Sequence, residues 1–170
     1  MNAWIESTFA NVIKMGWDTS YGWKIAIEST IYMTFWSFVF GRLLGLLAGL
    51  LLVLTGPRGV LENKYVFWIL DKVASLFRAI PFIILLAVIS PVTKLIVGKS
   101  IGMTAALVPL SLSVFPFYAR QVQVVLSEMD RGVIEAAQAS GATIWDIIRV
   151  YLREGLPDLI RVTTLTLISL

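Results

Sequence analysis

Residues 25–54 form a nearly unbroken apolar run, and no other feature of the 170-residue chain restricts its folds so severely. As a helix the run exceeds the ~20 residues needed to cross a bilayer. A soluble fold would have to cover it on every side, and small globules keep too much of their chain at the surface for that. Composition agrees: 58% of residues are hydrophobic and 15% charged, against about 25% charged in soluble domains. The reading is an all-α integral membrane protein. There is no cysteine and no histidine, which removes disulfide frameworks, thiol nucleophiles and the usual zinc ligand sets. Neither a metal nor a cofactor is expected. The net charge of +3 is spread along the chain and gives no nucleic-acid footprint. No cleavable signal is expected either, because Glu6 precedes every positive residue.

Four spans are predicted, over residues 25–54, 66–89, 103–126 and 159–170. Ahead of them, residues 1–22 read as an interfacial segment. Ile5, Phe9, Val12, Ile13 and Gly16 share a helical face there, with Trp4 and Trp17 near the ends; a simple lead-in to the first span is the alternative. In the first span, Gly41, Gly45 and Gly49 repeat every fourth residue, a row that lets a second helix approach closely. Arg42, beside that row, must face protein, water or a partner chain. Thr55-Gly56-Pro57-Arg58-Gly59 breaks the helix. The second span contains Arg78 and Pro81 and is expected to end at Ser90-Pro91. The third is expected to be interrupted by Pro109 and Pro116, whose kinks either line a pathway or are merely structural. Arg78 and Arg120 have three readings: snorkelling to an interface, contact with a transported carboxylate, or pairing with another subunit. The run 159–170 would reach only ~18 Å as a helix, short of the ~30 Å hydrocarbon core. It therefore reads as an incomplete fourth span, and the chain as C-terminally truncated.

The most polar region, about 128–156, reads as two short helices. The first lies near 131–140, Gly141 supplies its break, and Thr143-Ile144-Trp145-Asp146 fits a capping box that starts the second. Ile144, Ile147, Ile148, Tyr151 and Leu152 fall on one face of that second helix, with Asp146, Arg149 and Arg153 on the other. Such a pair either docks into a partner's groove or packs on its own membrane helices. If this segment is cytoplasmic, eight Lys and Arg residues lie on its side of the membrane and four on the other, in keeping with the positive-inside rule.

Glu135-Ala136-Ala137-x-x-x-Gly141, placed between spans, resembles the "EAA" loop of ABC importer permeases. Residues 78–86 (RAIPFIILL), 96–102 (IVGKSIG) and 115–120 (FPFYAR) are similar to the methionine-uptake permeases in particular, and the likeness runs over about 25–170. Two departures stand out. The family's loop often ends in a Leu-Pro element thirteen positions after the glycine, where this chain has Glu154 and places Leu156-Pro157 later. The family also usually completes a fourth span and adds a fifth.

The resemblance implies a polytopic helix bundle of the ABC importer permease type in a bacterial cytoplasmic membrane, multi-pass and homodimeric. It implies an ATP-binding subunit below, a substrate-binding lipoprotein above and methionine as cargo. Glu135, Ala136, Ala137, Gly141, Ala142 and Thr143 would form the coupling contact with the ATP-binding subunit. No G-x-x-x-x-G-K-[ST] loop is present, so ATP hydrolysis is expected on a separate chain. The alternatives are an ABC permease for another amino acid or small solute, and a fragment of a secondary transporter, for which repeats and a carboxylate relay are missing.

Overall fold

The structure, a computed structural model, describes Gly16 and residues 22–169; the interfacial helix expected over 1–22 therefore lies almost wholly outside the described residues. These residues form seven helices and no strand: α1 (Trp23–Thr55), α2 (Lys64–Ala79), α3 (Phe82–Val97), α4 (Met103–Ser127), α5 (Arg131–Ala139), α6 (Ile144–Glu154) and α7 (Leu156–Ile168).

The 33 residues of α1 carry a stretch with a mean hydropathy of 2.2. Its buried side is a stripe that includes Ser37, Phe38, Gly41, Gly45 and Gly49. Ile31, Phe35, Leu43 and Leu47 are exposed, as expected of side chains that meet lipid tails rather than water. The stripe packs along α4, which also touches α2, α3 and α7 and so forms the centre of the bundle. Glycine is required for this approach. A Cβ on Gly41 would lie 2.6 Å from Val114 Cβ, one on Gly45 2.7 Å from the Phe115 carbonyl oxygen, and one on Gly49 2.6 Å from that of Ala119.

At the end of α1 the chain turns through Gly56–Gly59, closed by a 2.9 Å bond from the Gly59 N–H to the Gly56 carbonyl. Arg58 takes a φ of 63° there, and its N–H donates to Glu62 Oε2 at 2.8 Å. The Leu61 and Asn63 amides then return to the Leu54 and Thr55 carbonyls, satisfying acceptors that a helix end leaves open.

The second expected span is not one helix. α2 and α3 meet at a bend of 115°. Pro81 pushes the preceding residue out of helical conformation, and Ile80 accordingly has φ −80° and ψ 122°. Nor does Ser90-Pro91 end the segment: α3 continues through Pro91 to a left-handed Gly98, φ 79°. Likewise Pro109 and Pro116 do not interrupt α4. Each proline deletes one backbone bond, and both rings are buried in the interface around α4, where packing holds the helix in one piece. Among the described helices α1 alone is long and apolar enough to cross a membrane by itself, and α2 with α3 passes as a bent pair. α4 has the length, about 37 Å, but its end carries Arg120, Gln121 and Gln123.

α6 and α7 are joined by Gly155 alone. A Cβ there would fall 2.5 Å from Leu126 Cδ2. Pro157 sits in the first turn of α7, where its missing N–H costs no bond. The Leu156-Pro157 pair thus starts the last helix three residues earlier than the apolar run suggests.

Candidate functional site

The polar segment is built from its caps. Asp130 accepts the Gly132 N–H at 2.8 Å and starts α5. α5 ends in a Schellman motif: the Gly141 N–H reaches the Gln138 carbonyl at 3.0 Å and the Ala142 N–H reaches that of Ala137 at 3.1 Å. Gly141 has φ 78°, and a Cβ would meet nothing within 4 Å. Its glycine is therefore demanded by backbone conformation, not by a neighbour within the chain.

Thr143 caps α6. Its N–H and hydroxyl both donate to Asp146 Oδ2, at 3.0 and 2.6 Å, and the Asp146 N–H returns to Thr143 Oγ1 at 3.4 Å. These bonds to the Thr143 hydroxyl and backbone, with Arg149 helping, hold the Asp146 carboxyl below its ordinary value. Arg149 Nη1 lies 3.9 Å from Asp146 Oδ1.

The apolar face of α6 turns inward. Ile147 and Tyr151 are buried with Ile134 of α5 in a cluster that takes in Leu50, Val53, Leu54, Tyr118, Val122, Leu126, Leu159 and Val162. Burial pushes the Tyr151 phenol up, against a smaller lowering by Arg131. Of the two uses open to this face, the structure shows packing on the chain's own helices. The reason is local: α6 follows α4 after two tight turns, and the ends of α1, α4 and α7 offer the nearest apolar surface. Ile144, the first member of the face, stays 43% exposed.

What faces outward is the other side. Glu135, Ala136, Gly141 and Thr143 are exposed, and Ala137 and Ala142 are half-buried, so all six residues of the expected coupling contact lie in one short stretch at the α5–α6 junction. Trp145, which the sequence reading used only as part of a capping box, projects beside them at 77% exposure. Its signal was present: an indole on the polar face, four residues before Arg149. A cavity of about 220 Å³ adjoins this surface, lined by Pro57, Arg58, Arg131, Glu135, Gln138 and Tyr151.

The remaining candidates lie elsewhere. Gly41, Gly45 and Gly49 face α4, as described above. Arg120 is held within the chain, its Nη1 2.7 Å from Gln123 Oε1 and 3.4 Å from Asp71 Oδ1. That tie between α4 and α2 is none of the three uses considered from sequence. Arg78 donates from Nη2 to Ser75 Oγ at 3.0 Å and from Nε to the Ala74 carbonyl at 3.4 Å. Pro81 caps α3, and Pro109 and Pro116 are buried in α4. Tyr118, wholly buried, was also missed. It lies 2.7 Å from Thr163 Oγ1; because the Thr163 hydroxyl gives its one proton to the Leu159 carbonyl at 2.6 Å, Tyr118 is the donor, and it ties α4 to α7.

The family described as "binding-protein-dependent transport system inner membrane component" matches residues 41–170. The chain belongs to this family. This inner membrane component is 46% identical over 151 residues to the D-methionine transport system permease protein MetI of Yersinia pestis, across 87% of this chain and 70% of that one. The MetI of Escherichia coli K12 is 46% identical over 145 residues, across 85% and 67%. Among solved structures, an inward-facing conformation of the MetNI methionine ABC transporter superposes with a TM-score of 0.81 at 39% identity, over 99% of this chain and 72% of that one. The all-α permease fold read from the sequence is thus the fold of the family, and the chain is a membrane-embedded transport subunit.

Proposed function

We propose that the chain is the permease subunit of an ATP-driven methionine importer, crossing the membrane several times and working as a homodimer. Its α5–α6 element docks on an ATP-binding subunit, and a substrate-binding lipoprotein delivers solute from the opposite side. The observation that carries this reading is the outward surface at the Gly141 break, with Glu135, Ala136, Thr143 and Trp145 uncovered. The buried Ile134, Ile147 and Tyr151 root the same element in the membrane helices. A close-packed root transmits displacement rather than absorbing it. Closure of the nucleotide-binding subunits therefore pushes α5 and α6 as a unit, and the spans rock between inward- and outward-open arrangements.

Relatives described as methionine permeases support the cargo. Uptake of labelled methionine into vesicles carrying the assembled importer tests both parts. Uptake requires ATP, persists when the proton gradient is collapsed, and is lost in Gly141→Asp, which still inserts into the membrane. Dependence on the proton gradient instead would indicate a secondary transporter. Stronger competition by another amino acid or a metal chelate would replace methionine as the cargo.

A further inference from the structure

A cavity of about 430 Å³ opens where α2 breaks into α3, bounded by Phe77, Arg78 and Phe82 on that side, Ser113 and Phe117 of α4 and Thr166 of α7. Its volume is in the range of small-molecule sites. Ser113 and Phe117 flank the midpoint of α4, Phe115, so the cavity lies near mid-depth of the bundle. Irregular backbone at that depth is tolerated where it lines a cavity or is covered by protein, so the cavity accommodates the 115° break that Pro81 imposes. A guanidinium there is costly unless it meets water, a ligand or a countercharge.

Arg78 meets no carboxylate among the described residues; the three ion pairs belong to Arg120, Arg149 and Arg161. Its bonds to Ser75 and Ala74 use two of its five N–H groups. Three remain, and the partner that best fits a guanidinium is a carboxylate held through two parallel bonds. α3 starts at the same wall without a side-chain cap, and an open helix start also favours an anion. Around this polar corner stand the rings of Phe77, Phe82 and Phe117, which suit an aliphatic or thioether side chain.

We infer that this cavity is a binding site within the membrane for an α-amino acid with an apolar side chain, its carboxylate on Arg78. The inference rests on the importer reading above and adds the group that holds the solute inside the permease. The test uses the chain assembled with its ATP-binding subunit in lipid nanodiscs, without binding protein, and measures equilibrium binding of methionine and of methioninamide, which lacks the carboxylate. Wild type binds methionine at least tenfold more tightly than the amide. In Arg78→Gln the preference falls below twofold through loss of methionine affinity, and in Arg78→Lys, which keeps the charge but not the paired bonds, only part of it returns. Equal affinity of wild type for the two compounds overturns the inference without recourse to any variant, and so does an Arg78→Gln protein that keeps the preference. ATP-driven methionine uptake by the complete importer is measured alongside. Uptake without carboxylate-dependent binding removes this site alone, whereas absence of uptake removes the importer reading and the site with it.

Discussion

Replacing Gly45 with alanine sets two effects of opposite sign against each other. In a helix interior alanine is favoured over glycine by about 0.8–1.0 kcal/mol, so propensity alone predicts a more stable protein. Contact with α4 predicts the reverse. The new Cβ would stand 2.7 Å from the Phe115 carbonyl oxygen, 3.0 Å from Tyr118 Cδ1 and 3.1 Å from the Ala119 nitrogen. Two of these three atoms are backbone, so no change of rotamer relieves them; α1 and α4 must separate by several tenths of an ångström. Tyr118 is buried and anchored to Thr163, which removes the third way out. Overpacking costs about 1–3 kcal/mol, and an obstruction this rigid belongs in the upper part of that range. After the propensity gain is subtracted, Gly45→Ala loses about 1–2 kcal/mol, and Gly45→Val more. Unfolding of the detergent-solubilised protein by increasing sodium dodecyl sulfate, followed by tryptophan fluorescence, measures the difference. Leu47→Ala, on the exposed side of α1 at 54% exposure, serves as control and changes stability far less. A Gly45→Ala protein as stable as wild type, or more so, would show that the two helices are not in tight contact and would refute the argument.

Gly141→Ala places its methyl group in open space yet forces a left-handed residue, costing about 1–2 kcal/mol; faster hydrogen exchange at the Gly141 and Ala142 amides registers the weakened break, and Gly141→Asn is affected less. Asp146 has a depressed pKa in the folded chain, so its contribution to stability is present above about 3.8 and is lost as pH falls through the lower folded value. Thr143→Ala removes the main cause, and a carboxyl NMR titration then shows Asp146 moving back up. Asp71→Asn or Arg120→Gln alone leaves one member of the α2–α4 pair without its partner, while the double variant leaves neither. The pair is partly exposed, so each single variant loses at most about 1 kcal/mol and the double variant loses less than the sum of the two in the same unfolding assay; additive losses would refute the pairing.

Much of this protein is local in origin and was therefore legible without tertiary information. The apolar run of α1, the glycine row, the Gly141 break and the Thr143–Asp146 capping box each follow from spacing and conformational preference within a few residues. The stretch of residues proposed for coupling was likewise legible, because its caps and its amphipathic face are properties of one short segment. Prolines were not decided locally. Pro81 divides a span while Pro91, Pro109 and Pro116 leave their helices whole, since a lost backbone bond is tolerated or not according to what packs around it. Partners across the bundle were equally out of reach. Asp71 meets Arg120 from 49 residues away and Tyr118 meets Thr163 from 45, and no periodicity encodes which helix lies beside which. The same is true of the two faces of α6. Its sequence defines an apolar side and a polar side, but only the fold, by burying Ile147 and Tyr151 beneath the ends of α1 and α4, leaves Trp145 and the Gly141 break on the surface.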